Sequence, residues 1–119
     1  MQPGGPQGTA SVGGVPVVCL PGNPVSAQVS FTVFLRPLLR AAVGLSPIAA
    51  RTMPIGAAVH SPVGKRQWLR GVVRDGAVHP VGGAGSHLVT AMAASDVLID
   101  VPEETGFVAA GSPVAVLPL

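Results

Sequence analysis

Charged side chains are scarce in this sequence of 119 residues. Lysine, arginine, aspartate and glutamate together make up 10% of it, against roughly 25% in an average soluble protein. The net charge is only +2, so the isoelectric point near 9.5 reflects a shortage of acids and not a strong basic field. A surface so poor in charge indicates that part of it is normally covered by other protein.

Aromatic side chains are also few, at 3% of the residues, and there is no tyrosine. Nucleic-acid modules usually combine clustered lysine and arginine with rings on which bases stack. The one concentration of positive charge is Lys65, Arg66, Arg70 and Arg74, and it has a single tryptophan beside it. The composition therefore argues against a nucleic-acid partner.

The chain has one cysteine and no segment that predicts a membrane span. Cys19 cannot form an intramolecular disulfide, and its apolar surroundings predict a buried structural thiol. Residues 1–6 lack the charged and apolar regions of a signal peptide. Arg36, Pro37 and Arg40 interrupt the longest apolar segment, which is therefore no membrane helix. We expect a cytoplasmic protein without a membrane partner.

Glycine and proline are plentiful, and the first third of the chain places them around one strand and one helix. Residues 1–14 are predicted to be a loop, and residues 15–20 a buried strand. A helix is predicted over 24–43, and Pro37 should bend it near Val33 because proline removes a backbone hydrogen bond. The apolar stripe of this helix consists of Val25, Val29, Val33, Phe34, Leu38 and Leu39.

After Pro47 the pattern changes to short strands separated by turn residues, which is typical of a small β-barrel or sandwich. Asp75-Gly76 is a strong hairpin signal. A short helix over 87–94 is predicted to begin after Ser86. The predicted strands lie within 48–60, 65–75, 77–81, 97–101 and 114–117.

Two domains are predicted on this basis, with a boundary near residues 45–50. Residues 1–48 form a mixed α/β remnant, and residues 49–119 form a small all-β barrel. One strand and one helix cannot bury an α/β sheet without another layer. We therefore expect the chain to be a fragment of a longer protein, and the apolar faces of the remnant to lack a cover of their own.

The turn between the first strand and the helix has a sequence suited to anion binding. Asn23 is a strong N-cap residue, and Pro24 sits where its missing N–H costs nothing. Gly22 permits a positive φ. Helix N-termini bind anions, and ligands of open α/β sheets collect at the carboxyl ends of strands. A well-capped connection without a ligand remains equally consistent with these residues.

A second candidate site lies on the strand predicted within 65–75, where Arg66, Trp68, Arg70 and Arg74 share one face. One interpretation is a solvated face whose arginines extend into water. The other is a phosphate contact, because guanidinium binds such groups bidentately. Spacing alone favours the solvated face. A third candidate is the glycine-rich segment 82–87.

The sequence from Leu20 to Ala27, Leu-Pro-Gly-Asn-Pro-Val-Ser-Ala, resembles the molybdopterin molybdenumtransferases of the MoeA/gephyrin type. Trp68-Leu69-Arg70-Gly71, Gly85-Ser86-His87 and Val101-Pro102-Glu103 follow in the order of that family. The resemblance extends over essentially the whole chain, but only over the C-terminal part of the family's length.

The resemblance implies a fold and a function for the longer protein. The enzyme inserts molybdenum from molybdate into adenylylated molybdopterin in a magnesium-dependent reaction that releases AMP. It also implies a homodimer that binds a small pterin nucleotide. Catalytic residues are not assigned, and the Mg²⁺ ligands are expected outside this chain. The substrate-binding residues implied here are Pro21, Gly22, Asn23, Pro24, Ser26, Arg70 and Ser86.

One departure from the family and two other functions stay open. Gln2 and Gly5 stand where the family usually has lysines, which removes positive charge near an anionic substrate. The chain is alternatively a non-catalytic binding or scaffold module of the gephyrin type, or a basic β-barrel that binds nucleic acid. No metal site is predicted, since the spacings of His60, His79 and His87 match none.

Overall fold

A computed structural model of the chain describes residues 8–20, 22, 24–81 and 95–119. In chain order the strands are β1 (Gly8–Val12), β2 (Val15–Cys19), β3 (Arg51–Pro54), β4 (Val59–His60), β5 (Gln67–Arg74), β6 (Ala77–Pro80), β7 (Val97–Val101), β8 (Phe107–Val108) and β9 (Pro113–Pro118). The helical segments are α1 (Pro24–Ser30), a π-helical turn (Phe31–Leu35) and α2 (Arg36–Ala42). The predicted helix over 87–94 lies outside the described residues.

Strands β1 and β2 form an antiparallel hairpin whose described residues are exposed along both strands. Gly13 and Gly14 connect them with φ values of 56° and 82°, which is the two-residue turn that glycine pairs favour. The prediction of a loop over 1–14 is therefore wrong for Gly8–Val12. Cys19 and the rest of β2 are exposed, so the predictions of a buried strand over 15–20 and of a buried thiol are also wrong.

The α/β remnant predicted for residues 1–48 is not confirmed, because β2 pairs only with β1 among the described strands. The coarser prediction of a mostly β protein with one helix is confirmed. The boundary predicted at 45–50 falls in the connection between α2 and β3 and stays a prediction.

The helix begins at Pro24, as predicted, and continues to Ala42 through the π-helical turn. The irregular part of the helix is Phe31–Leu35, which ends two residues before Pro37. The backbone N–H of Arg36 donates to the carbonyl of Phe31. Pro37 has no N–H to donate to the carbonyl of Val33. The predicted disturbance near Val33 is thus present as a wider turn within one helix.

Five strands form one curled sheet in the order β3-β9-β7-β5-β6, and all neighbouring pairs are antiparallel. The two edge strands meet at one bridge between Ile55 and Val78, where the N–H of Gly56 donates to the Val78 carbonyl at 2.8 Å. The sheet thus curls back on itself and encloses an apolar core. The buried members of this core are Ile55, Leu69, Val78, Val97, Ile99, Val101, Val108, Val114 and Val116.

Turn chemistry accounts for the hairpin β5–β6, as the sequence predicts. Asp75 and Gly76 have φ values of 52° and 76°, and Arg74 pairs with Ala77 on either side of them. The two-residue strand β8, which pairs with β4, was not predicted because two residues carry no periodic pattern.

The helix packs on the outer face of the curled sheet. Val25 and Val29 are buried against Trp68 of β5 and Leu98 of β7. Arg36 adds a polar contact, since its Nη2 donates to the Pro118 carbonyl at 2.7 Å. The expectation that the helix lacks a cover is wrong for this stripe. It holds for Phe34, Leu38 and Leu39, which are 47%, 67% and 50% exposed.

No helix among the described residues is long and apolar enough to cross a membrane.

Candidate functional site

Of the substrate-binding residues predicted at the turn that leads into α1, the structure describes Gly22 and Pro24. Gly22 is exposed, and a Cβ at this position would meet nothing within 4 Å. Pro24 is the first residue of α1. Pro21 and Asn23 lie outside the described residues.

Ser26 lies in the first turn of α1 and is only 6% exposed. It is flanked by Val25, which is buried against the sheet. The first turn of the helix is therefore set against the sheet and does not project into solvent. Whatever binds beside this turn meets a backbone that is held in place by apolar packing.

The predicted basic face of β5 is covered at its centre, at Trp68 and Arg70. Arg66 binds Asp100 of β7 through two hydrogen bonds, Nε to Oδ1 at 2.8 Å and Nη2 to Oδ2 at 2.5 Å. The guanidinium carbon of Arg66 also lies 4.9 Å from the ring centroid of Trp68. The hydrogen bonds to Asp100 raise the pKa of Arg66. The solvated-face interpretation is therefore wrong for Trp68 and Arg70, and Arg66 is already engaged.

Arg70 is the buried arginine of this face, at 2% exposure. It pairs with Leu98 in the sheet, and its carbonyl accepts the N–H of Val81 at 2.9 Å. Burial lowers the pKa of the Arg70 guanidinium. Arg74, by contrast, is exposed at the end of β5. The three arginines therefore differ in environment, which spacing along a strand does not reveal.

The residue after Arg70 shows why the sequence Arg-Gly occurs here. A Cβ on Gly71 would lie 2.7 Å from Cγ2 of Val78 and 3.0 Å from Cδ1 of Ile99. The absence of a side chain lets β5 approach the core closely, while Arg70 faces the opposite side of the sheet. Gly71 thus has a structural role beside the candidate binding residue.

The histidines that the structure describes have structural neighbours. The His60 ring lies 4.9 Å from the Phe107 ring, centroid to centroid. The His79 ring covers Gly56 so closely that a Cβ there would lie 2.4 Å from it. Ser86 and His87 lie outside the described residues. Within 8–20, 22, 24–81 and 95–119, no three His, Cys, Asp or Glu side chains are grouped as metal ligands.

One apolar cluster joins two of the predicted sites. Val25 and Val29 of α1 pack with Trp68 and Leu98, and Arg70 directly opposes Leu98 in the sheet. The start of the helix and Arg70 are therefore fixed to the same patch of the sheet. Sequence reasoning missed this connection, since the period of a strand predicts a shared face but not the element that covers it.

A separate apolar groove of about 210 Å³ runs between the hairpin and the helix. Its walls include Val18, Cys19 and Leu20 of the hairpin side and Phe34 and Leu38 of the helix. Several of these side chains are exposed, with Leu38 at 67% and Phe34 at 47%. This surface has the composition of a covered interface, as the low charge of the sequence predicts.

Comparison with known proteins gives concordant results. The sequence model of the MoeA C-terminal region (domain IV) matches residues 52–119. Molybdopterin molybdenumtransferase 2 of Mycobacterium tuberculosis is 47% identical over 116 residues, which cover 94% of this chain and 29% of that protein. Molybdopterin molybdenumtransferase 1 of the same organism is 37% identical, over 86% of this chain and 27% of its own length.

Solved structures agree with these relatives. A molybdopterin biosynthesis MoeA protein from Pyrococcus horikoshii superposes with a TM-score of 0.84 at 30% identity, covering 98% of this chain and 29% of that one. A molybdenum cofactor biosynthesis protein from Pyrococcus furiosus gives a TM-score of 0.83 at 25% identity, over 98% of this chain and 42% of that one. The chain thus spans less than a third of the length of the curated relatives it matches, and it belongs to the MoeA family, whose C-terminal region (domain IV) it contains.

Proposed function

We propose that this chain is the C-terminal part of a molybdopterin molybdenumtransferase, which inserts molybdenum from molybdate into adenylylated molybdopterin during molybdenum cofactor biosynthesis. The observation that carries the proposal is the 47% identity with a protein named for this activity over 94% of the chain. That match includes both the Pro-Gly-Asn-Pro turn and strand β5, so it is not limited to the core of the sheet.

In this proposal the chain binds and orients the pterin nucleotide. Gly22 and Asn23 of the Pro-Gly-Asn-Pro turn, together with the first turn of α1, offer backbone N–H groups to an anionic ligand. Arg70 supplies a guanidinium suited to phosphate, and Ser86 a hydroxyl. The burial of Val25 supports this role, because a helix start packed on the sheet offers a fixed position for a ligand. Such positioning is a large part of what binding contributes to a reaction.

Magnesium and the second subunit belong to the complete enzyme in this proposal. Among the described residues no group of carboxylates or histidines fits a metal ion. We place the Mg²⁺ ligands in the part of the relatives that this chain does not span. A homodimer is proposed for the full-length protein.

The test is a chimera in which this chain replaces the matching 29% of molybdopterin molybdenumtransferase 2 from M. tuberculosis. We expect the chimera to insert molybdenum when given molybdate, magnesium and adenylylated molybdopterin, and the 119-residue chain alone to show no turnover. The unaltered enzyme is the matched control. A folded chimera without activity would contradict the proposal, as would turnover by the isolated chain.

A scaffold module of the gephyrin type is the second candidate, and the exposed apolar groove between hairpin and helix favours it. A partner that docks in this groove would bind the isolated chain without any pterin nucleotide. The nucleic-acid alternative has less support. Arg66 is paired with Asp100 and Trp68 is only 7% exposed, so neither the charge nor the ring of this stripe is free to bind a nucleic acid.

A further inference from the structure

Trp68 is the only tryptophan of the chain, and it lies between an ion pair and the helix. Its ring is 7% exposed on the outer face of β5. The Arg66 guanidinium lies 4.9 Å from the ring centroid, within the range of a cation–π contact. Arg66 is in turn held by Asp100, the residue that pairs with Trp68 across the sheet.

The helix contacts the same ring. Val25 and Val29, in the first two turns of α1, are buried with Trp68 and Leu98 in one cluster. Pro24 begins that helix, so Trp68 supports the backbone directly behind the Pro-Gly-Asn-Pro turn. Arg70 follows on the same face of β5 and pairs with Leu98.

We infer that Trp68, fixed by the Arg66–Asp100 ion pair, is a positioning residue that sets the start of α1 relative to Arg70. The inference rests on the proposed function, since it assumes that the turn and Arg70 bind one ligand. The tryptophan ring is a neighbour both of the ion pair, between Arg66 just before β5 and Asp100 of β7, and of the helix. Loss of the aromatic ring therefore displaces the start of α1 with respect to the sheet.

The aromatic ring of Trp68, and not a hydrogen bond from it, connects the ion pair and the helix. The Nε1 atom of Trp68 is buried without a hydrogen-bond partner among the described residues. A phenylalanine at this position therefore loses no hydrogen bond and keeps an aromatic face for Arg66. A leucine removes the ring, and with it the cation–π contact with Arg66 and part of the packing against Val25 and Val29. Comparison of W68F with W68L therefore separates the contribution of the aromatic ring from that of the Nε1–H group.

The first measurement is amide hydrogen exchange in the 119-residue chain. We expect W68L to accelerate exchange of the amides in residues 28–30 at least tenfold, and W68F to leave it within about twofold of the original chain. The control is V114A, which removes apolar volume from the core inside the sheet and should affect the strands more than the helix. Equal acceleration of the helix by W68L and V114A would overturn the inference.

The second measurement is steady-state kinetics in the chimera defined above. W68L should raise KM for adenylylated molybdopterin at least tenfold with a smaller effect on kcat, and W68F should restore KM. D100N, which keeps the shape but weakens the pair with Arg66, should raise KM in the same direction by a smaller factor. Unchanged KM in W68L would refute the positioning role.

The two measurements separate this inference from the proposed function. A chimera that binds no pterin nucleotide refutes the proposed function and, with it, the assumption that the turn and Arg70 share a ligand. Exchange then still decides whether Trp68 fixes the helix to the sheet. A chimera that binds the nucleotide while W68L behaves as the original chain refutes the inference alone.

Discussion

Gly71 illustrates how a single residue links the core to the candidate site. We expect Gly71→Ala to reduce the free energy of unfolding by about 1–3 kcal/mol, the usual cost of excess volume in a packed core. The physical reason is the 2.7 Å approach of a Cβ to Val78 and the 3.0 Å approach to Ile99. Urea denaturation measures the change.

The matched control for this substitution is Gly8→Ala. A Cβ at Gly8 meets only the Cβ of Cys19, at an ordinary 3.9 Å, and its φ lies outside the left-handed region. We expect this variant to unfold within about 0.5 kcal/mol of the original chain, as substitutions away from special features usually do. Equal stabilities of the two variants would show that β5 relaxes away from the core.

The arginines of β5 allow a second prediction at this scale. In the chimera, Arg70→Ala should weaken binding of the pterin nucleotide by roughly 1.5–3 kcal/mol, and Ser86→Ala by roughly 0.5–1.5 kcal/mol, because charged hydrogen bonds are the stronger. Arg66→Ala and Arg74→Ala should have smaller effects on binding. Isothermal titration calorimetry measures all four.

Arg70 is also buried, so its truncation affects packing as well as binding. Arg70→Lys keeps the charge and much of the aliphatic stem, while it removes the planar fork that binds phosphate bidentately. We expect this variant to fold with near-original stability and to bind weakly. If Arg66→Ala proves the most damaging substitution, the assignment of roles along β5 is wrong.

At the scale of elements, the turn before α1 is predicted to matter more for binding than for stability. Gly22→Val and Pro24→Ala in the chimera should weaken nucleotide binding while the melting temperature changes little. A Cβ at Gly22 meets none of the described residues within 4 Å, so we expect a valine there to interfere mainly with what binds beside the turn. Calorimetry and a thermal melt on the same samples provide the comparison, and undiminished binding by both variants would contradict this role.

Local chemistry explains which elements the sequence reveals. Pro24 at a helix start, Pro37 beside a distorted turn and Asp75-Gly76 in a hairpin all act on the backbone within a few residues, and the structure confirms all three. The Gly13-Gly14 pair is a local signal of the same kind for the hairpin of β1 and β2, which the prediction of a loop over 1–14 does not include. The two-residue alternation of side chains along a strand also correctly places Trp68 and Arg70 on one face of β5.

Contacts between elements are a different matter, because no local rule determines them. The sequence predicts that the apolar stripe of the helix is uncovered, and spacing alone favours a solvated face around Trp68. In the structure these two surfaces bury each other. The close approach of Gly71 to Ile99 likewise depends on the curl of the sheet. The sequence therefore predicts which residues belong to the candidate site, but not how they are arranged relative to one another. Pro21, Asn23 and Ser86 remain predictions from resemblance.

At the scale of the whole molecule, charge and apolar surface are unevenly divided. The first charged residue of the sequence is Arg36, so the hairpin and the first half of the helix carry no charge at all. Val12, Val15 and Leu38 are each more than 60% exposed. A two-stranded hairpin is at best marginally stable by itself. The relatives are more than three times as long as the matched segment, and we expect their additional chain to cover this surface.

The isolated chain should therefore self-associate through the groove between hairpin and helix. Uncovered strand edges and apolar faces promote association when no charge opposes it. We expect sedimentation velocity to show species that grow with concentration in the micromolar range, and the double variant Val18→Asp, Leu38→Asp to sediment as a monomer. Val63→Asp, at a 72% exposed valine of the curled-sheet part, is the control and should associate as the original chain does. A monomer at every concentration would show that the hairpin and helix are stable with this surface in water.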